Sequence, residues 1–147
     1  MNNFIRQMMA ERVFIVTGPP GAGKTTYCKQ NRQPGDIVID LDYISAALIL
    51  SEGLQTDNRE VLSTAIAIRD FLIDQIGQNR LTFGKAFIVT TKNAEKIREK
   101  TGGKIVTIDP GIEETLRRIE SDTSKDEERT RRRFDGAMQY YHRKGKV

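Results

Sequence analysis

Residues 18 to 25 are Gly18, Pro19, Pro20, Gly21, Ala22, Gly23, Lys24 and Thr25, a complete phosphate-binding loop of the form G-x-x-x-x-G-K-[ST]. Such a loop works only between a buried strand and the first turn of a helix, so it constrains the surrounding chain strongly. Its glycines let the backbone curl until consecutive N–H groups face a concavity sized for phosphates. A helix starting after Gly23 adds the positive end of its dipole there. Lys24 is spaced to reach the β- and γ-phosphates and the Thr25 hydroxyl to ligate Mg²⁺, with Thr26 following beside the same phosphates. The flanks fit: residues 12–17 form an apolar, β-branched run suited to a buried parallel strand, and residues 25–30 can be helical. The expected ligand is a nucleoside triphosphate. ATP is the first choice, because the guanine-reading Asn-Lys-x-Asp element is absent.

The rest of the chain repeats the strand-then-helix order. A turn at Gln33, Pro34, Gly35 and Asp36 precedes a short strand, Ile37 to Ile39, and a helix is expected over residues 43–50, ending near Gly53. Asp57 or Asn58 can cap a long helix over about 59–78, where Leu62, Ala65, Ile66, Ile68, Leu72, Ile73 and Ile76 keep an apolar face. Strands are expected over 86–91 and 104–109. A charged helix over about 93–100 lies between them, ended by Thr101, Gly102 and Gly103. Pro110 then opens a helix whose first turn carries Glu113 and Glu114, and a last helix spans about 127–143. Apolar strands alternating with helices imply an α/β fold of three layers, a P-loop NTPase fold. Its parallel sheet has four strands, or five, with the phosphate loop at its carboxyl edge. A single domain is expected over residues 1–147, with residues 1–11 as a polar lead-in and 121–133 as a short arginine-bearing lid.

Composition narrows the class. A charged fraction of 30% and the lack of a long apolar run suit a soluble chain without a membrane span. No apolar leader opens the sequence, and Cys28 is the only cysteine, so a reducing cytoplasm is expected. Residues 125–147 hold eight basic and four acidic side chains, which matches the whole net charge of +4. A basic stretch of this kind suits phosphate or nucleic acid, and equally a solvated helix face.

Asp40 and Asp42 follow the second strand and so project at the edge that carries the loop. A carboxylate there can take the proton of an attacking hydroxyl or hold Mg²⁺ through water, and Asp40 is favoured for both. Asp42 is divided between such a role and capping the helix near Tyr43. On a helix, Arg129, Arg132 and Arg133 share one side, so one or two of them are expected to face the nucleotide. Arg118 is a further phosphate-side candidate, whereas Arg117 suits the surface.

The loop with Thr26, the Asp42–Tyr43 step, the pattern Arg132, Met138, Tyr141, and the stretch Asp109, Glu114, Leu116, Arg118 resemble the kinase domain of phage polynucleotide 5′-kinase. The resemblance implies a four-stranded sheet and transfer of the γ-phosphate of ATP to a 5′-hydroxyl of DNA or RNA. It also implies a base after the second strand, Asp40 or Asp42, and Arg132 as the lid arginine. The chain departs from the family pattern in three places. Leu41 separates two acids that are adjacent in the family, Ile44 replaces an arginine that grips substrate phosphate, and Thr90 and Thr91 end the third strand where many nucleoside-triphosphatases carry a Mg²⁺-organising Asp. Three expectations follow: a kinase acting on a nucleotide, nucleic acid or small molecule; a small accessory ATPase or nucleotide-dependent binding module acting with nucleic acid; or a non-catalytic nucleotide sensor.

Overall fold

The computed structural model describes residues 2–52, 58–122 and 125–146. Its centre is β1 (Val13–Thr17), whose buried Val13, Ile15 and Val16 make both faces apolar. Such a strand needs neighbours on both sides and helices over both faces. It has them: β3 (Ala86–Thr90) pairs parallel on one side, with Ile15 opposite Ile88, and β4 (Lys104–Thr107) on the other, with Ile15 opposite Ile105. β2 (Ile37–Ile39) joins β3, giving the order β2-β3-β1-β4. The fold is α/β, with a four-stranded parallel sheet flanked by seven helices among the described residues.

The helices are α1 (Asn3–Arg12), α2 (Lys24–Asn31), α3 (Leu41–Leu48), α4 (Arg59–Gly77), α5 (Ala94–Thr101), α6 (Ile112–Ser121) and α7 (Glu127–Arg143). The larger core packs Met9, Ile73, Ile76 and Ile97 from α1, α4 and α5 against Val13, Ile15 and Ile88. A smaller one holds Val16, Cys28 and Phe87, with the Phe14 and Phe87 rings stacked 5.6 Å apart. No helix among the described residues is long and apolar enough to cross a membrane.

Several boundaries differ from expectation for local reasons. The lead-in, read as polar with some helical character, is α1, capped by Asn2 and packed into the core through a completely buried Met9. Burial of that side chain is worth about 1.5–3 kcal/mol. The third helix starts two residues early because Asp40, not Asp42, is its cap: the Asp40 carboxylate accepts from the Asp42 backbone N–H at 3.0 Å. For α4 the cap is Asn58, accepting from Val61 N–H at 3.0 Å, whereas Asp57 and Gly53 lie outside the described residues. Gly102, at φ 73°, ends α5 by donating to Arg98 as expected.

Candidate active site

Three strand ends converge at the carboxyl edge of the sheet, and each delivers one part of the site. β1 delivers the phosphate loop. Gly21 (φ 79°) and Gly23 (φ 97°) lie in the left-handed region, and a Cβ on Gly21 would come within 2.6 Å of Ile119 Cγ1. A side chain there is excluded twice, by conformation and by space. Pro19 and Ala22 are buried, and the Ala22 N–H closes the turn onto Pro19 O at 3.2 Å. Lys24 lies across the loop, donating to Gly18 O (2.7 Å), Pro19 O (2.9 Å) and the hydroxyl of Thr91 (3.1 Å). Burial lowers its pKa to about 8, against the opposing pull of Asp40 and Asp42.

β2 delivers the carboxylates. Asp40 is buried, and its two oxygens do different jobs: one caps α3, the other accepts from the Thr25 hydroxyl at 2.9 Å. Two hard oxygens side by side beneath a phosphate loop suit Mg²⁺, which takes one or two protein oxygens and completes its shell with phosphate and water. Asp42 stands in the first turn of α3 and reaches the open cleft. Its side chain is exposed, yet the surrounding protein strips enough water to push its carboxyl above the ordinary range. The negative Asp40 adds to that push, while Lys125, Arg129 and Arg133 oppose it. The two acids are therefore different: Asp40 is locked in hydrogen bonds, and Asp42 faces the open cleft.

β3 ends at Thr90, whose hydroxyl donates to the Lys92 carbonyl, and Thr91 takes the bond from Lys24. On the far side, α6 and α7 bring arginines to the loop. Arg118 donates to Ala22 O at 3.0 Å and to Glu114 at 2.9 Å. Arg117 stays at the surface on Glu114, whose carboxyl falls to about 2 through Arg117 first and Arg118 second. Arg133 is half-buried, lines the cleft beside Gly21, and is held by Asp122 at 2.8 Å. Arg129 lines the same cleft. Arg132, the expected lid arginine, is exposed and pairs with Glu128 at 3.5 Å along its own helix. Helical spacing put the three arginines on one side; packing of α7 on α6 turned Arg129 and Arg133 inward and Arg132 out.

Sequence reasoning gave no weight to Thr91 as the partner of Lys24, nor to Asp122 as the partner of Arg133. Neither has a motif signal, since the first pairing spans 67 positions and the second 11. The cleft that joins all these groups has a volume of about 1460 Å³.

Fold and loop together define an α/β protein with a phosphate-binding loop at the carboxyl edge of a parallel sheet. No family model and no curated protein sequence matches the chain. Solved structures do match. A chain of the Pnkp1/Rnl/Hen1 RNA repair complex superposes with a TM-score of 0.60 at 12% identity, over 90% of this chain and 45% of that one. A second structure of the Pnkp1/Rnl/Hen1 complex gives 0.54 at 13%, over 79% and 42%. TT1252 from Thermus thermophilus gives 0.53 at 19%, over 92% and 85%. The chain thus spans less than half the length of the first two. At these identities the likeness is one of fold.

Proposed function

We propose that the protein is an ATP-dependent phosphotransferase moving the γ-phosphate to a hydroxyl of a nucleotide or nucleic acid. The observation that carries the proposal is the pair of carboxylates two residues apart, one bonded to the loop threonine and the other facing open space.

In this reading Gly18 to Thr26 hold the phosphates of ATP, with Lys24 transferring its bonds from the Gly18 and Pro19 carbonyls to phosphate oxygens. Thr25, with Asp40 behind it, would hold Mg²⁺, which neutralises charge on the β- and γ-phosphates. In this reading Asp42, and not Asp40, is the general base. Its raised pKa suits proton acceptance, and the Thr25 hydroxyl bonds to Asp40 instead. As the acceptor oxygen bonds to the γ-phosphorus, its proton passes to Asp42. The bond from that phosphorus to the β–γ bridging oxygen breaks, and ADP departs with the electron pair. Arg133 and Arg118 meet the negative charge that spreads over the transferring group. The Pnkp1 likeness in fold supports the class of reaction and the nucleic-acid direction.

Incubation with γ-labelled ATP and a panel of nucleosides, nucleotides and oligonucleotides tests the proposal. Label should appear on an acceptor, dependent on Asp42. ATP binding without transfer to any acceptor would leave the accessory-ATPase reading in its place.

A further inference from the structure

The Lys24 ammonium has every N–H in use. Two go to loop carbonyls, Gly18 O at 2.7 Å and Pro19 O at 2.9 Å, and the last goes to the Thr91 hydroxyl at 3.1 Å. A carbonyl oxygen only accepts, whereas a hydroxyl accepts and also carries a proton of its own. Thr91 accepts from Lys24 and donates to no group among the described residues. Its neighbour Thr90 differs: it is buried, and its hydroxyl donates to the Lys92 carbonyl. The two threonines at the end of β3 therefore divide the work. Thr90 ties down the turn after the strand, and Thr91 brings an unspent O–H to the cleft that it lines.

Position decides which phosphate this hydroxyl can serve. Thr17 is paired with Thr90 across the sheet, so Thr91 stands one step further on, level with Gly18, where the loop begins. The order β2-β3-β1 sets that step between the loop and the acids after β2. On its loop side is Lys24, which the motif directs to the β- and γ-phosphates. On its other side are Asp40, bonded to Thr25, and Asp42 in the open cleft. The β-phosphate belongs to the N–H groups of the loop. A third phosphate, beyond those groups and toward the acids, comes to the end of β3. A carboxylate at that place needs a cation between itself and phosphate, whereas a hydroxyl bonds to phosphate directly.

We infer that the Thr91 hydroxyl is a γ-phosphate contact by which the protein prefers a nucleoside triphosphate to the diphosphate. Once phosphate oxygens replace the Gly18 and Pro19 carbonyls on Lys24, the Thr91 oxygen keeps its bond from Lys24 and gives its own proton to a γ-oxygen. A diphosphate offers no such oxygen, so the O–H stays unspent. The inference rests on the reading of the loop as a triphosphate site, and not on transfer. For a phosphotransferase it has a second use, since the diphosphate product lacks the contact and leaves more readily.

The test is equilibrium titration of the full chain, with Mg²⁺ present, by ADP and by the non-hydrolysable β,γ-imido analogue of ATP. The parent protein is compared with Thr91→Val, which keeps the shape and removes the hydroxyl, and Thr91→Ser, which keeps the hydroxyl. Binding of ADP reports in each variant that the loop is still formed. Thr91→Val should lower the ratio of triphosphate to diphosphate affinity by at least ~10-fold, the size expected for a lost hydrogen bond to a charged group. ADP affinity should stay nearly unchanged, and Thr91→Ser should restore the parent ratio. An equal change for both nucleotides in Thr91→Val makes Thr91 a holder of Lys24 alone and overturns the contact, as does a ratio that does not move. A protein that keeps the Thr91-dependent preference but transfers label to no acceptor retains the contact and loses the phosphotransferase reading.

Discussion

The phosphate loop and the α6–α7 arm bring cations to the same cleft, but they hold them in opposite ways. Lys24 is buried, gripped by two loop carbonyls and Thr91, and shifted to a pKa of about 8. Arg118 and Arg133 are partly exposed and held by acids, Glu114 and Asp122, with Arg118 also touching the loop. The backbone carbonyls around Lys24 are part of the loop itself and cannot be displaced far. An arginine–carboxylate pair at a half-exposed site is worth at most about 1 kcal/mol, so phosphate can take the arginine from its acid. In one region the groups that hold the cation are fixed backbone, and in the other they are side-chain acids that phosphate can outcompete.

The largest effect should come where the two regions meet. Asp42→Asn is expected to lower transfer ~10²–10⁴-fold with ATP affinity nearly unchanged, read by kcat and by equilibrium nucleotide binding. Asp40→Asn should instead weaken Mg²⁺ dependence, seen as a higher metal concentration for half-maximal rate; transfer that survives Asp42→Asn but not Asp40→Asn would reverse the two roles. If Arg133 is the exchangeable charge, Arg133→Ala should cost ~10²–10³-fold in kcat, while Arg132→Ala changes it less than ~3-fold. Equal losses would erase the distinction between inward and outward arginines.

A smaller effect tests the fixed region through pH. The free protein loses the Lys24 charge as pH rises through about 8, whereas bound triphosphate holds that proton. Nucleotide affinity should therefore be flat below pH 8 and fall by up to ~10-fold per unit above it, and the fall should vanish in Lys24→Ala. Transfer has the opposite limb: it should fall as acid protonates Asp42, beginning above the ordinary carboxylate range. Last is the mounting of the arm. The Tyr141 hydroxyl donates to Asp109 at 2.6 Å and sits 2.8 Å from the Thr115 hydroxyl. Tyr141→Phe leaves those groups short of a partner and should cost ~1–3 kcal/mol in denaturant unfolding, with little change in nucleotide affinity. An affinity loss as large as that of Lys24→Ala would mean that the arm also shapes the loop.

Much of this was legible in residue order. The loop, the strand before it and the helix after it are set by neighbours within twenty positions, because glycine conformations, β-branched runs and helix starts are local matters. The same holds for the four strands and for α7, expected and found over 127–143. The site was legible only as candidates. Asp40 and Asp42 were identified together, but their separation into a locked acid and an open one needed the Thr25 hydroxyl, fifteen positions away, to lie 2.9 Å from one and not the other. Arg132 and Arg133 are adjacent in sequence and equivalent in type. Only the packing of α7 on α6, fixed in part by Tyr141 on Asp109 and Thr115, decided which one meets the loop.

By itself, then, the sequence determined a triphosphate-type loop on an α/β sheet, because each requirement is satisfied within a short run of backbone. Tertiary structure alone decided how the charges are used. The field at a carboxylate or a lysine comes from groups brought near by the sheet order β2-β3-β1-β4, and that order brings Asp40, Thr91 and Lys24 together from three separate strand ends.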